Sequence, residues 1–242
     1  MLVRSFTGGD FLENAYIVTC EATGQAVVVD PGAAAPEIVD ALADDAASVA
    51  AILLTHAHLD HGEGLEAIRA ITDAPTHLHA ADRPMFDNMP AQAAMFGLSS
   101  PSLDPPEREL EDGQTLHFGS CFFQVIHTPG HSPGHVILHA EAQGLALVGD
   151  LVFAGSVGRT DLPGGDYQAL FHSIRQHVLT MPDDTQLYTG HGPPTTVGRE
   201  RTTNPFLIPH FGGELAGSHP SPSRCSRPAV ERTSKPYWTT SP

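Results

Sequence analysis

Short blocks of alternating hydrophobic and polar positions, bounded by Gly, Pro and Asp, open the chain. Residues 2–6, 14–20 and 25–30 read as three strands, the last Val-rich and closed by Pro31-Gly32, so the chain begins as a meander. Pro36 then starts a helix to about Asp45, with Ile38, Val39, Ala41 and Leu42 spaced for one buried face. An apolar strand over 49–54 follows, and a helix over 62–72 carries Leu65, Ile68 and Ile71 at helical spacing. Another strand is expected over 76–80. Residues 81–112 are mixed, with a short helix near 81–88, Met85, Met89, Met95 and Phe96 as local core or pocket wall, and a Pro/Ser stretch at 99–106. Beyond Gln114 the pattern returns to strands, near 115–118, 121–127, 134–140 and 144–149. A glycine-rich loop to residue 166 leads into a helix over 167–179 with Asp166 as its N-cap, then a last strand at 187–189 and a short helix over 199–204. The mixture is that of an α/β protein.

The chemistry sits where strands end. Residues 52–62 read Ile-Leu-Leu-Thr-His-Ala-His-Leu-Asp-His-Gly. His56, His58 and Asp60 alternate and so face one way along an extended segment, whereas His61 breaks the alternation and requires a turn. Imidazole nitrogen and carboxylate oxygen suit zinc, iron or manganese. The later strands repeat the arrangement: His131 lies on the Pro/Gly-bounded turn Thr128-Pro129-Gly130-His131, Asp150 follows the apolar strand ending at Gly149, and His191 lies within Gly190-His191-Gly192. Separate loops converging on one rim of a sheet explain the recurrence. Counting ligands gives His56, His58 and His131 for one metal and Asp60, His61 and His191 for a second, with Asp150 able to bridge cations about 3.5 Å apart, as in two-metal hydrolases. His135 reads either as an outer partner of a ligand or as a structural histidine. His77 and His79, with no adjoining motif, read as structural or exposed.

Composition narrows the partners. The 242 residues suffice for one domain over 1–209, and a net charge of −16 argues against nucleic acid or an anionic membrane surface. No apolar run approaches transmembrane length and the first residues do not form a signal peptide, so a cytoplasmic location is expected. Lys235 is the only lysine, which leaves arginines to bind anions. Arg159 in the glycine-rich loop and Arg201 in the last helix are the candidates for a substrate carboxylate, with a helix-surface salt bridge as the alternative for Arg201. Cys20, Cys121 and Cys225 are odd in number and far apart, supporting neither a disulfide framework nor a structural zinc site. Residues 210–242, rich in Ser, Pro, Thr and Arg, are expected to form a disordered tail. Oligomeric state is not legible in the sequence.

Thr-His-Ala-His-Leu-Asp-His at 55–61, together with His131, Gly149-Asp150 and Gly190-His191-Gly192, resembles the metallo-β-lactamase fold superfamily over about residues 2–209. That resemblance implies a four-layer αββα sandwich with the metal site at one edge between the sheets. Residues 128–135, 158–166 and 198–205 are similar to the short bacterial glyoxalase II (hydroxyacylglutathione hydrolase) type. This implies hydrolysis of a glutathione thioester such as S-lactoylglutathione, with two divalent metals, zinc first and iron or manganese as alternatives. A metal-bridging hydroxide would be the nucleophile, with Asp60 both a ligand and the catalytic residue that orients it. Persulfide dioxygenases share a similar Gly-Arg-Thr-Asp stretch, so a one-iron enzyme acting on glutathione persulfide is the alternative. Lactonase or β-lactamase-type hydrolysis, or a non-catalytic binding protein on this scaffold, are further alternatives. Two departures stand out. Longer glyoxalase II enzymes carry a C-terminal helical domain that 210–242 cannot build, and where they have a lysine and a tyrosine after the bridging aspartate this chain has Arg159 and Asp161.

Overall fold

The computed structural model describes residues 1–208 except positions 46 and 101. The expected tail and Cys225 lie outside the described residues. The opening meander is β1 (Leu2–Gly8), β2 (Glu13–Thr19) and β3 (Gln25–Val29), to which β4 (Ser48–Leu53), β5 (Thr76–His79) and β6 (Arg108–Leu110) add in parallel. The second sheet begins with antiparallel β7 (Thr115–Phe118), β8 (Cys121–His127), β9 (Val136–Ala140) and β10 (Leu145–Gly149). A two-stranded ribbon of β11 (Val152–Phe153) and β12 (Ser156–Val157) intervenes before β13 (Gln186–Thr189) joins β10 in parallel and β14 (Thr195–Thr196) closes the edge. The helices are α1 (Ala35–Asp44), α2 (Leu59–Gly62), α3 (Leu65–Arg69), α4 (Arg83–Asp87), α5 (Met89–Met95), α6 (Tyr167–Ser173) and α7 (Val197–Thr203).

The period-2 pattern of the strands sorts the core into three layers of side chains. On β2 and β3, Ala15, Ile17, Ala26 and Val28 pack outward against Ile38, Leu65, Ile68 and Met89 of the helices. Their alternates Tyr16, Val18, Val27 and Val29 face inward and meet Phe123, Val125, Val136, Leu138 and Leu147 of the second sheet. On that sheet the outward alternates Ile137, Ala146 and Val148 pack against Leu170, Phe171, Ile174 and Val197. Helix, sheet, sheet, helix is therefore the layer order, an αββα sandwich. Among the described residues no helix is long and apolar enough to cross a membrane.

Several elements differ from expectation. The helix expected over 62–72 starts earlier and is interrupted at Gly64, where a Cβ would lie 2.1 Å from the Gly32 carbonyl oxygen, so the chain passes close to the β3–α1 turn. Within 81–112 the chain builds α4, α5 and β6; of the residues expected there as core or pocket wall, Met89 is buried and Met95 exposed. The helix expected over 167–179 is α-helical to Ser173 and π-helical over Ile174–Val178. Its cap is as expected, with Asp166 Oδ1 accepting from Ala169 N at 3.0 Å. Cys20 is buried and Cys121 half-buried, both as free thiols.

Candidate metal centre

Strand ends deliver the candidate ligands, and two local devices let them meet. Asp30, at the end of β3 with φ of 49°, accepts hydrogen bonds from Thr55 N and Thr55 Oγ1, both at 2.7 Å, and so pins the segment leaving β4. His56 and His58 then lie on extended chain, and α2 turns His61 back beneath them. Glycines allow the close approach from the second sheet. A Cβ on Gly190 would fall 2.0 Å from Asp150 Oδ1, and one on Gly149 (φ 46°) would fall 2.6 Å from Thr55 Oγ1.

The result is one cluster. His56, His58 and His131 form one group whose ligand atoms lie within 4.8 Å of one another; His56, His61 and Asp150 form a second, and Asp60, His61 and His191 a third. His58 Nδ1 is 2.8 Å from His131 Nε2. Asp150 reaches in both directions: Oδ1 is 3.4 Å from His61 Nε2, and Oδ2 is 3.4 Å from both His131 Nε2 and His191 Nε2. Asp60 Oδ2 lies 3.3 Å from His191 Nε2 and 3.9 Å from His61 Nε2.

Whether these atoms suit a cation can be judged from the far side of each ring. Thr55 Oγ1 gives its one proton to Asp30 Oδ2, so it accepts from His56 Nδ1 at 3.1 Å, which leaves His56 Nε2 as a lone pair, buried and without a hydrogen-bond partner. His61 Nδ1 lies 3.1 Å from Asp30 Oδ2, His131 Nδ1 2.8 Å from the Arg159 carbonyl and His191 Nδ1 3.1 Å from the Phe11 carbonyl. Each of these rings is anchored through Nδ1 and turns Nε2 inward. His56 Nε2, His61 Nε2 and Asp150 Oδ1 are buried here without a hydrogen-bond partner, and imidazole nitrogens and carboxylate oxygens crowded together in this way are the pattern a cation satisfies.

Electrostatics agree with this. Burial holds His56 well below the usual histidine range, and burial with the neighbouring His131 takes His58 down to about 3, so both rings are neutral at pH 7. Burial also opposes charge on His61 and His191, but the Asp150 and Asp60 carboxylates outweigh it, raising His61 well above its ordinary value and His191 to about 10. Burial likewise opposes ionisation of Asp60 and Asp150, yet His61 and His191 hold both below the ordinary carboxylate value.

Four residues behind the cluster carry structure that the sequence did not reveal or left open. Asp30 read only as the end of a strand, although its place after a Val-rich run matches that of Asp150. Asp82 accepts from Ala57 N at 3.0 Å and Ser132 Oγ at 2.7 Å, tying the His56–His58 segment to the His131 turn across both sheets. His135 is an outer partner rather than a ligand: its Nε2 accepts the Asp150 N–H at 3.1 Å, which places its own proton on Nδ1, 2.9 Å from Thr128 Oγ1. Glu13 is buried with neither carboxylate oxygen hydrogen-bonded, Oε1 lying 3.9 Å from His61 Nδ1, and burial raises its pKa well above the usual value. His79 is outside the cluster, stacked on His127 at 4.1 Å, and His77 is half-buried on β5.

A cavity of about 280 Å³ opens onto the cluster, walled by Phe11, Phe96, Phe153, Val157, Leu162 and Arg159 among others. Arg159 stands on the wall, its Nε and Nη2 on Asp161 at 2.7 and 2.9 Å. Arg201 does not line this cavity. Its guanidinium pairs with Asp183 and donates to the carbonyls of Leu179 and Met181, which ties α7 to the end of the preceding helical segment. Of the two readings of Arg201, the structure shows the salt bridge.

Two facing sheets, helices outside both and a His/Asp cluster at their shared edge define a metallo-hydrolase scaffold. The chain belongs to the metallo-beta-lactamase superfamily, whose family model matches residues 8–191. It is 35% identical over 184 residues to the hydroxyacylglutathione hydrolase GloC of Haemophilus influenzae, covering 75% of this chain and 87% of the relative. Among solved structures it is similar to the BLEG-1 B3 metallo-beta-lactamase, with a TM-score of 0.80 and 36% identity over 85% of this chain and 99% of that one. It is also similar to TTHA1623 in a di-iron-bound form, with a TM-score of 0.77 and 42% identity over 85% of this chain and 100% of that one.

Proposed function

We propose that the protein is a two-metal thioester hydrolase acting on glutathione thioesters, for which S-lactoylglutathione is the reference substrate. The observation that carries the reading is the convergence of His56, His58, Asp60, His61, His131, Asp150 and His191 into overlapping ligand groups, with His56 Nε2, His61 Nε2 and Asp150 Oδ1 buried and without a hydrogen-bond partner. Similarity to GloC supports the substrate class, and the net charge of −16 fits a small molecule better than nucleic acid. Zinc is the first choice of metal, with iron kept open by the di-iron form of TTHA1623.

His56, His58 and His131 would hold one cation and Asp60, His61 and His191 the other, with Asp150 between them. Bound there, the metals supply a water deprotonated near neutral pH and Lewis-acid polarisation of the thioester carbonyl. The chain's own part is orientation. Asp60, ionised at neutral pH, accepts a hydrogen bond from the attacking water and fixes its direction. Asp30, His135 and the carbonyls of Phe11 and Arg159 hold the cluster in register. In the reaction the water oxygen bonds to the acyl carbon and the C–S bond breaks; one water proton ends on the departing sulfur and the other in solvent, so that a carboxylate and a thiol leave.

Elemental mass spectrometry of the purified protein, paired with S-lactoylglutathione hydrolysis on the same sample, tests the proposal. About two metals per chain with turnover is the expected result. A single iron, no thioester cleavage and oxygen uptake with glutathione persulfide would overturn it in favour of persulfide oxidation.

A further inference from the structure

The wall of the cavity indicates which acyl group enters it. Outside the His/Asp cluster, the polar side chains lining it among the described residues are Gln92 and Arg159. Gln92 is committed to the scaffold: its Oε1 accepts from Leu59 N at 3.1 Å, and its Nε2 donates to the carbonyls of Ala57 at 3.0 Å and Met85 at 2.9 Å. Arg159 is forked onto Asp161. The rest of the wall is Phe11, Leu59, Phe96, Phe153, Val157 and Leu162.

The aromatic members are placed to grip. Phe11, from the β1–β2 turn, and Phe96, just after α5, meet edge to face with ring centroids 5.0 Å apart. Phe153 sets its ring 5.8 Å from that of His191, beside the cluster. Phe96 is 46% exposed and lines the cavity, so part of its ring is left for a ligand to cover. Arg159 Nη1 aside, the lining side chains outside the cluster offer an acyl hydroxyl no hydrogen bond that is not already made, whereas an aryl or branched alkyl group gains contact on several sides.

We infer that the cavity prefers an apolar acyl group, hydrolysing an arylalkanoyl or branched alkanoyl thioester faster than the 2-hydroxyacyl one it also accepts, and that Phe96 is the residue that sets this preference. The inference rests on the thioester reading above and narrows its substrate. At about 280 Å³ the cavity accepts such a group, while a tripeptide leaving group extends outward past Arg159.

The test compares S-(3-phenylpropanoyl)glutathione with S-lactoylglutathione on the full-length, zinc-loaded protein, alongside calorimetric binding of the two product acids, 3-phenylpropanoate and lactate. The phenylpropanoyl thioester is expected to show a kcat/KM about 10-fold or more higher, the difference lying mainly in KM, with a matching order of acid affinities. Phe96→Ala should bring both ratios close to one at unchanged metal content, and Phe96→Leu should keep most of the preference. Equal kcat/KM for the two thioesters, or acids bound equally, would overturn the inference. Absence of thioester hydrolysis alongside a retained, Phe96-dependent preference for the aryl acid would sink the thioester reading and leave the apolar acyl pocket standing.

Discussion

At the scale of single residues, a ligand and the group that orients it should fail differently. His58 presents Nδ1 to His131 Nε2 at 2.8 Å, and removing it leaves one cation site with two histidines. In His58→Ala we expect about one metal per chain to be lost and kcat/KM to fall by more than about 100-fold, the two measured together by elemental analysis and thioester turnover. A variant with full metal content and full turnover would show that the ligand scheme is wrong. Asp30 touches no substrate, but its Oδ2 faces both Thr55 Oγ1 and His61 Nδ1. Asp30→Asn keeps the shape and turns one of these acceptors into a donor, so the His56 and His61 rings lose their shared anchor. Metal affinity should fall about 10- to 100-fold in a chelator competition, and saturating metal should restore most of the turnover. An unchanged affinity would show that Asp30 merely closes the turn.

Among secondary-structure elements, the fold uses one device repeatedly, a strand that stops at a small residue and hands the next side chain to the rim. Gly190 shows why the residue must be small, since a Cβ there would sit 2.0 Å from Asp150 Oδ1 and 2.8 Å from His61 Cε1. Gly190→Ala is expected to fold, with unchanged far-ultraviolet circular dichroism, yet to displace the Asp150 carboxylate and lose metal and at least about 10-fold in rate. Normal metal content in that variant would mean that the strand end yields more than the packing suggests. The same device made much of the site readable in the sequence. His56, His58, His131, Asp150 and His191 each follow an apolar run or sit in a Gly/Pro turn, signals contained in a few consecutive residues. What could not be read involves partners far apart along the chain. Asp82 bonds Ser132 across 50 positions and His191 bonds the Phe11 carbonyl across 180, so no local pattern announces either. β6 was missed because three residues, Arg-Glu-Leu, are too few to show alternation, and its pairing with β5 decides its conformation. Charge type alone does not say which carboxylate an arginine meets, so the sequence leaves Arg201 between a substrate contact and the salt bridge it makes with Asp183.

Over the whole molecule, the cluster is a seam. The loop after β4 in the first sheet supplies His56, His58, Asp60 and His61, and the second sheet supplies His131, Asp150 and His191, so cations bound there would join the two halves of the sandwich. Their removal should lower Tm, and the protonation states say how this loss depends on pH. His56 and His58 are held below their ordinary range, His58 at about 3, so between pH 6 and 8 a metal on the His56/His58/His131 group displaces no proton from these two rings. His61 and His191 are raised, His191 to about 10, so in the metal-free protein both carry protons at pH 7 that a metal on the Asp60/His61/His191 group must expel. Since the proton stays on until the pH passes the raised value, metal affinity of this second group weakens by about tenfold per displaced proton for each unit the pH falls below it. With each metal at about a thousand times its Kd, binding contributes about 4 kcal/mol, and 1 kcal/mol moves Tm by about 2–4 °C in a protein of this size. Chelation at pH 8 is therefore expected to lower Tm by about 16–32 °C if both groups are saturated, and by roughly half that at pH 6, where the second group is losing its metal to protons. Thermal scans with and without chelator at pH 6, 7 and 8, with metal content measured at each, decide the matter. Loss of both metals in parallel as pH falls would mean that the two groups titrate as one, and that the difference between neutral and proton-bearing histidines does not survive metal binding.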